Sequence, residues 1–146
     1  MRALIQRVKS AQVEVDGQVI TRIGPGILTL LGIKTGDTDE HAQKLLAKIL
    51  KLRIFEDAAG KMNLSLLDQG LEHLIVSQFT LYGDCRHGNR PGFSEAARPE
   101  VAKPLYERAL AISRELGART AGGQFQAEMQ VSLVNDGPVT FMIEAD

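Results

Sequence analysis

The sequence feature that most constrains the fold is a run of turn-forming residues between two stretches of β character near the carboxyl end. Residues 129–134 and 139–143 alternate and are rich in β-branched or apolar side chains, which is typical of strands. The Asn-Asp-Gly between them tolerates positive φ and predicts a hairpin turn. A second interpretation rests on Gly137-Pro138, where a missing side chain and a missing N–H would leave carbonyl groups exposed as acceptors.

The first third of the chain predicts strands joined by tight turns. Residues 2–15 alternate as one long bent strand, and an Asp-Gly hairpin signal leads into a second run at 18–23. Residues 27–33 are nearly all apolar, which indicates a strand buried on both faces. Residues 71–82 predict another long strand, and residues 53–56 a short one.

A first helix is predicted after this strand region. Asp37 and Glu40 have the spacing of a capping box, and the helix is expected to end near Lys51 or Leu52. The following residues are spaced to form one apolar stripe: Ala42, Leu45, Leu46, Ile49 and Leu50.

A second helix is predicted over about 101–116. Pro104 is expected in or near its first turn, which places the start of the helix after Pro99. Its predicted apolar stripe consists of Val101, Leu105, Ala109, Ile112 and Leu116. Residues 63–70 fit either a short helix or a loop.

This order of elements predicts an α+β fold with a mostly antiparallel sheet or barrel and two main helices packed outside it. The length of 146 residues indicates a single domain over residues 1–146. Its 44% hydrophobic and 24% charged content is ordinary for a soluble globular protein, and a net charge of −1 restricts any polyanion site to a local patch.

The lone Cys85 excludes an internal disulfide, and no apolar run approaches the roughly 20 residues that span a membrane, so a cytoplasmic protein is expected. His41, His73 and His87 lack ligand spacing with that cysteine. The sequence therefore predicts neither a metal nor a cofactor.

The run Ser77-Gln78-Phe79-Thr80 places hydroxyls and an amide near a predicted strand end. One interpretation is cross-strand hydrogen bonding. In the other, the strand ladder ends here and the N–H groups of Phe79 and Thr80 are free to stabilise an oxyanion. No base is placed beside either hydroxyl, so the pattern does not support a nucleophilic serine or threonine.

Two further groups of residues have functional interpretations. Arg86 and His87 adjoin Cys85 and are of the type that lowers a thiol pKa, which keeps a small-molecule thiol hydrolase as an alternative function. A basic face is formed at i, i+4 and i+7 of the first helix, and loop cations extend it. These cations are Lys44, Lys48, Lys51, Arg86 and Arg90. They indicate either a solvated face or a stripe that contacts phosphates.

The chain resembles the D-aminoacyl-tRNA deacylases from end to end. Ser77-Gln78-Phe79-Thr80-Leu81 and the run from Met129 to Thr140 look like the two signature motifs of that family. Residues 4–8, 53–55, 60–64 and 90–94 are also similar to it.

This resemblance implies a homodimer with the active site at the subunit interface, where a cis Gly137-Pro138 reaches into the partner's pocket. Its carbonyls would accept hydrogen bonds from the substrate α-ammonium and would block an L side chain. Family similarity further implies substrate contacts at Met129 and Phe93. Arg7 and Asn135 are implied supports of the motif.

The function implied is hydrolysis of D-aminoacyl-tRNA, with glycyl-tRNA mischarged on tRNA-Ala as a further substrate. In such enzymes water and the 2′-hydroxyl of the terminal adenosine supply much of the chemistry, and Ser77, Gln78, Phe79 and Thr80 supply position and the oxyanion site. A non-catalytic dimeric tRNA-binding module is a third interpretation.

Overall fold

A computed structural model describes residues 1–146 as an α+β fold, which confirms the predicted class. The elements in chain order are β1 Arg2–Val15, β2 Gln18–Ile23, β3 Gly26–Gly32, α1 Asp39–Lys51, β4 Phe55–Glu56, β5 Met62–Leu64, α2 Leu66–Gln69, β6 Glu72–Ser77, a 3₁₀ turn Phe79–Tyr82, α3 Pro99–Glu115, β7 Arg119–Gly122 and β8 Gln130–Glu144. None of the helices is both long and apolar enough to cross a lipid bilayer.

The 14-residue strand β1 is the centre of the main sheet. It pairs antiparallel with β8 along one edge and with β3 and then β2 along the other. β3 pairs with β6, and β6 with β7, in parallel, because helical crossovers return the chain to the same end of the sheet. Antiparallel pairings are therefore the majority in a mixed sheet, which curves until β2 and β7 approach each other.

The sheet separates two cores. α1 and α3 cover one face with a cluster of 21 buried residues, and the other face has a smaller cluster of seven. The predicted stripe of α1 is confirmed, since Ala42, Leu45, Leu46, Ile49 and Leu50 are all buried.

The amino-terminal cap of α1 differs from the prediction. The capping box joins Thr38 and His41, and the N–H of Thr38 donates to His41 Nδ1 over 2.9 Å. Asp37 is instead buried, where it accepts hydrogen bonds from the N–H of Lys34 and from the Met1 ammonium. Asp37 therefore holds the amino terminus and Lys34, and the helix cap lies one residue later, at Thr38.

The prediction for α3 is wrong at its start. The helix begins at Pro99, which is suited to the first helical position because its missing N–H has no partner there. Pro104 lies inside the helix, one turn after its start. The buried face consists of Ala102, Tyr106, Ala109, Ile112 and Ser113, so the true stripe is shifted from the predicted one, and Val101 is 51% exposed.

The strand predicted over residues 71–82 ends at Ser77. The N–H of Gln78 makes the last ladder bond, to Leu31 at 2.8 Å, after which the chain folds into the 3₁₀ turn. The predicted continuation of this strand to Tyr82 is therefore wrong. Residues 63–70 resolve into β5 and the short helix α2, which Ser65 and Asp68 cap reciprocally.

β8 corrects the interpretation of residues 129–143 as a hairpin. Both halves of the segment pair antiparallel with β1, so the chain continues past the proline instead of turning back. Residues 136–139 of β8 stand opposite Arg7 alone and form a wide bulge. The reason is the length of β1, which offers a continuous row of hydrogen-bonding groups to both halves.

Candidate functional site

A cavity opens where β6 ends. It has a volume of about 570 Å³, and nine of its 13 lining residues are hydrophobic, among them Phe125, Met129 and Val131. Its polar lining comes from Ser77, Gln78 and Gln126. An apolar cavity with few polar groups is the common form of a small-ligand site.

The 3₁₀ turn Phe79–Tyr82 forms one rim of this cavity. Phe79 and Thr80 are its first residues, and the hydrogen bonds of the turns and loops include none from their N–H groups. The first N–H groups of a helical turn have no acceptor within the turn, so both are free to bind a ligand. The side-chain amide of Gln78 donates to Thr80 Oγ1.

Gly32 lets this turn lie directly on the sheet. A Cβ at Gly32 would stand 3.0 Å from the Cβ of Leu81 and 3.2 Å from the ring of Tyr82. Glycine inside a strand often marks such a close approach. This signal is present in the sequence, but the apolar run of residues 27–33 by itself predicts only a buried strand.

Phe79, in the turn, forms an exposed aromatic pair with Phe93. Their ring centroids are 5.1 Å apart at an angle of 63°, and the side chains are 54% and 40% exposed. Phe93 also packs closely over Gly83. It lies next to the turn without lining the cavity, whereas Met129 lies in the cavity wall.

Arg7 contacts the bulge of β8 from within the fold. Its side chain is buried, Nε donates to the carbonyl of Asp136 over 2.8 Å, and Nη1 donates to the carbonyl of Ile54 over 2.7 Å. Gly137 has a φ of 147°, and a Cβ there would lie 2.6 Å from Val139 Cγ2. Glycine is therefore required in the middle of the bulge.

The Gly137-Pro138 peptide is cis, and both residues are exposed on the surface of the chain. Neither lines the apolar cavity. Within one chain the structure thus brings together Ser77, Gln78, Phe79 and Met129 around the cavity and leaves the Gly137-Pro138 part of the second motif outside it.

The loop that contains Cys85 gives no support to a thiol site. Cys85 is exposed and lies outside the cavity lining. Arg86 donates to both carboxylate oxygens of Asp84, at 2.8 Å and 2.7 Å, and these hydrogen bonds lower the pKa of Asp84 to about 2. The guanidinium is thereby paired with the aspartate.

The basic face of α1 is present as the periodicity predicts. Lys44 is exposed and forms an i, i+4 ion pair of 3.4 Å with Glu40. Lys48 and Lys51 line a shallow surface depression with Leu52. No group of three or more His, Cys, Asp or Glu residues is placed to bind a metal ion.

Comparisons with known proteins converge on one family. The model of the D-Tyr-tRNA(Tyr) deacylase family matches residues 4–144. A D-aminoacyl-tRNA deacylase of Thermosipho africanus (strain TCF52B) is 54% identical over 145 residues, which are 99% of this chain and 97% of that protein. Another, from Jannaschia sp. (strain CCS1), is 56% identical over 144 residues, 99% of this chain and 98% of that protein.

Two solved structures share the fold. A c-Myc DNA unwinding element binding protein superposes with a TM-score of 0.96 at 42% identity, covering 100% of this chain and 99% of that one. A probable eukaryotic D-amino acid tRNA deacylase superposes with a TM-score of 0.85 and 98% coverage of each chain. Its identity is 20%, so it supports the fold alone.

Proposed function

Since the chain belongs to the D-Tyr-tRNA(Tyr) deacylase family, we propose that the 3₁₀ turn and the apolar cavity form its active site. Full-length identities of 54% and 56% to curated relatives make it a D-aminoacyl-tRNA deacylase and hence an ester hydrolase. The reaction releases a D-amino acid and free tRNA.

The observation that carries this proposal is the pair of free N–H groups at Phe79 and Thr80. Water adds to the ester carbonyl carbon, and the carbonyl oxygen becomes an oxyanion that accepts hydrogen bonds from both groups. The bond to the ribose oxygen then breaks, and that oxygen takes up a proton. An aminoacyl ester is already activated, so positioning and charge stabilisation suffice without a side-chain nucleophile.

The apolar cavity is proposed to hold the terminal adenosine. The ester carbonyl is attached to this nucleoside, so a carbonyl at the 3₁₀ turn brings the base to the adjoining cavity. Phe125 and Met129 supply the apolar wall that a planar base requires, and Ser77 and Gln78 supply polar groups at the rim.

Chiral selection is proposed to come from the main chain at Gly137-Pro138. Both residues are exposed, and Gly137 has no side chain to cover the carbonyls. These carbonyls would accept hydrogen bonds from the α-ammonium and occupy the space of an L side chain. Glycine has no side chain to exclude, so glycyl-tRNA mischarged on tRNA-Ala is proposed as a second substrate.

A homodimer is proposed because Gly137-Pro138 lies outside the cavity lining of its own chain, and a second copy could supply it to the cavity of the first. β8 supports this arrangement: it pairs only with β1, so its other edge is open over 15 residues. Val134, Phe141 and Met142 are 52%, 43% and 51% exposed on the same strand. Open edges and exposed apolar side chains are typical of a protein interface.

The setting proposed for the enzyme follows from its substrate. Charged tRNA is used in the cytoplasm, so a cytoplasmic location is proposed.

The proposed tRNA contacts are the basic residues Lys44, Lys48, Lys51, Arg86 and Arg90. Both cores share one sheet, which supports a single domain over residues 1–146.

The overall proposal is tested by deacylation of matched D- and L-aminoacyl-tRNA. The wild type should cleave the D ester and glycyl-tRNA and leave the L ester intact. Cys85→Ala should match the wild type, and equal cleavage of both enantiomers would contradict the selection mechanism. A Cys85→Ala variant without activity would restore the thiol hydrolase interpretation.

The oxyanion site is tested by replacing Thr80 with its α-hydroxy acid through nonsense suppression. This exchange removes one N–H and keeps the side chain. Loss of an oxyanion donor should lower kcat by about 10²–10³-fold. The same exchange at Thr21, on β2, is the matched control. An unchanged kcat at position 80 would locate the oxyanion elsewhere.

Shared active sites are tested by mixing two inactive variants. Gly137→Ala disables the motif, and the position-80 exchange disables the turn. If each site uses both chains, a mixed dimer has one doubly altered site and one intact site, and random reassociation restores about a quarter of the sites. No recovery, in a mixture shown to contain mixed dimers, would contradict a cross-subunit site.

A further inference from the structure

We propose that Arg2 is a positioning residue for the reaction, because it fixes the 3₁₀ turn that bears the two free N–H groups. This inference rests on the proposed oxyanion site at Phe79 and Thr80. Arg2 lies on β1, outside the two sequence motifs and far from both in sequence.

The guanidinium of Arg2 contacts the turn in two ways. Nη1 donates a hydrogen bond of 2.7 Å to the carbonyl of Leu81. The guanidinium carbon also lies 4.6 Å from the centroid of the Tyr82 ring, within the range of a cation–π contact. Both contacted residues belong to the same four-residue turn as the oxyanion donors.

The register of the sheet places Arg2 next to the 3₁₀ turn. Arg2 pairs with Gly32 of β3 on one side and with Glu144 of β8 on the other. Gly32 is the position on which the turn lies, with Leu81 and Tyr82 in close approach. Glu144 accepts from Arg2 Nε over 2.5 Å, which orients the guanidinium towards the turn.

These contacts bear on catalysis because, beside the packing of Leu81 and Tyr82 on Gly32, they are what joins the turn to the sheet. The turn's own bonds are short-range, such as Leu81 N–H to Gln78 at 3.2 Å and Gly83 N–H to Thr80 at 2.9 Å. They define the shape of the turn but do not fix its tilt against the sheet. Arg2 joins the turn to two strands, and the tilt determines where the N–H groups of Phe79 and Thr80 point.

The experiment compares Arg2→Met, Arg2→Lys and the wild type in single-turnover deacylation of a D-aminoacyl-tRNA. Arg2→Met keeps an apolar stem and removes the donor, so kcat should fall by about 10–100-fold, since a displacement near 1 Å costs on that order. KM should change less than threefold or so, because the cavity is untouched. Arg2→Lys restores one donor and should recover part of kcat.

Arg22→Met is the matched control, because its guanidinium donates only to Gln12 on the neighbouring strand. It should keep the wild-type kcat. The amide resonances of Phe79 and Thr80 should shift in Arg2→Met and stay in place in Arg22→Met. If Arg2→Met does not fold, Arg2→Lys carries the test with the same readouts.

Three results would overturn the inference: an unchanged kcat in Arg2→Met, a loss confined to KM, or a loss that follows only the fraction of unfolded enzyme. The position-80 exchange separates this failure from failure of the oxyanion site. If that exchange lowers kcat and Arg2→Met does not, the oxyanion site stands and the role of Arg2 falls. If neither change lowers kcat, both proposals fail.

Discussion

Asn135 and Thr140 are joined across the bulge of β8. The side-chain amide of Asn135 donates to Thr140 Oγ1 over 2.9 Å, and its Oδ1 accepts the N–H of Val139 at 2.7 Å. One side chain thus ties the strand before the bulge to the strand after it. The exposed Gly137-Pro138 stands between these two anchor points, and Arg7 contacts the same bulge from inside.

The first prediction concerns this link. Thr140→Val keeps the shape of the side chain and removes the acceptor, so the bulge loses one hydrogen bond worth about 0.5–1.5 kcal/mol. We expect kcat/KM for D-aminoacyl-tRNA to fall roughly 2- to 10-fold, with a smaller D to L ratio. Thr140→Ser keeps the hydroxyl and is the control. Equal behaviour of Val and Ser variants would show that the link does not matter.

The second prediction concerns the centre of the bulge. Gly137→Ala places a methyl group 2.6 Å from Val139 Cγ2 and 2.9 Å from its nitrogen, at a φ that side chains rarely adopt. Displacing the carbonyls should cost on the order of 10²-fold in kcat/KM.

Gly17→Ala separates crowding from backbone strain, because Gly17 also has positive φ but nothing within 4 Å of an added Cβ. It should reduce stability and leave kcat/KM intact. A Gly137→Ala enzyme as active as Gly17→Ala would refute the selection mechanism.

Part of the candidate site and part of the fold could be predicted from the sequence. The motif around Gly137 and the run from Ser77 to Thr80 can be identified from residue order alone. The stripe of α1 could also be predicted, because apolar spacing there is regular and no proline interrupts it. α3 was harder, since Pro99 and Pro104 obscured its start and its buried face uses Tyr106 and Ser113.

Other features depend on contacts that residue order does not reveal. The end of β6 is determined by Gln78 reaching Leu31 and by the turn lying on Gly32. The role inferred for Arg2 depends on a carbonyl 79 residues away. The hairpin prediction failed for the same reason, because the turn-forming residues before Pro138 face one long partner strand.

The third prediction rests on a buried polar network around His73. The imidazole is fully buried, Nε2 lies 2.6 Å from Thr29 Oγ1, and Nδ1 lies 2.9 Å from Ser113 Oγ. Ser113 is linked in turn to Thr120 at 2.7 Å. Burial lowers the pKa of His73 to about 3, so the ring is neutral in the folded protein.

The free energy of unfolding should therefore depend on pH through His73. Below the ordinary histidine pKa of about 6.5 the unfolded chain binds a proton that the folded chain does not. The free energy of unfolding should have its full value above about pH 6.5. It should fall by about 1.4 kcal/mol per pH unit towards pH 3.

Chemical denaturation between pH 7 and pH 4 measures this dependence. His73→Gln removes the titration while keeping a donor and an acceptor, so its stability should vary less with pH than that of the wild type. His87→Gln, in the exposed loop, is the control and should keep the wild-type slope. Identical slopes for His73→Gln and the wild type would contradict the prediction.

The fourth prediction concerns the basic face of α1. Changing Lys44, Lys48 and Lys51 to Ala should weaken tRNA binding and reduce the slope of log K against log salt by roughly 0.9 for each lost phosphate contact to duplex RNA, by analogy with DNA. Arg22→Ala, on β2, is the control and should keep the slope. A triple variant with the wild-type slope would make this face a solvated surface.

The last prediction concerns the hydroxyl of Thr80, which accepts a hydrogen bond from Gln78 and is exposed on the turn. Thr80→Ala keeps the main-chain N–H, so we expect kcat to fall less than about 10-fold, the loss expected from one hydrogen bond. Removal of a true nucleophile costs about 10⁴–10⁶-fold in triad enzymes. Single-turnover rates for Thr80→Ala and Thr80→Ser distinguish the two cases. A loss of that size in the rate of a folded Thr80→Ala enzyme, with activity kept in Thr80→Ser, would identify Thr80 as the nucleophile and contradict our mechanism.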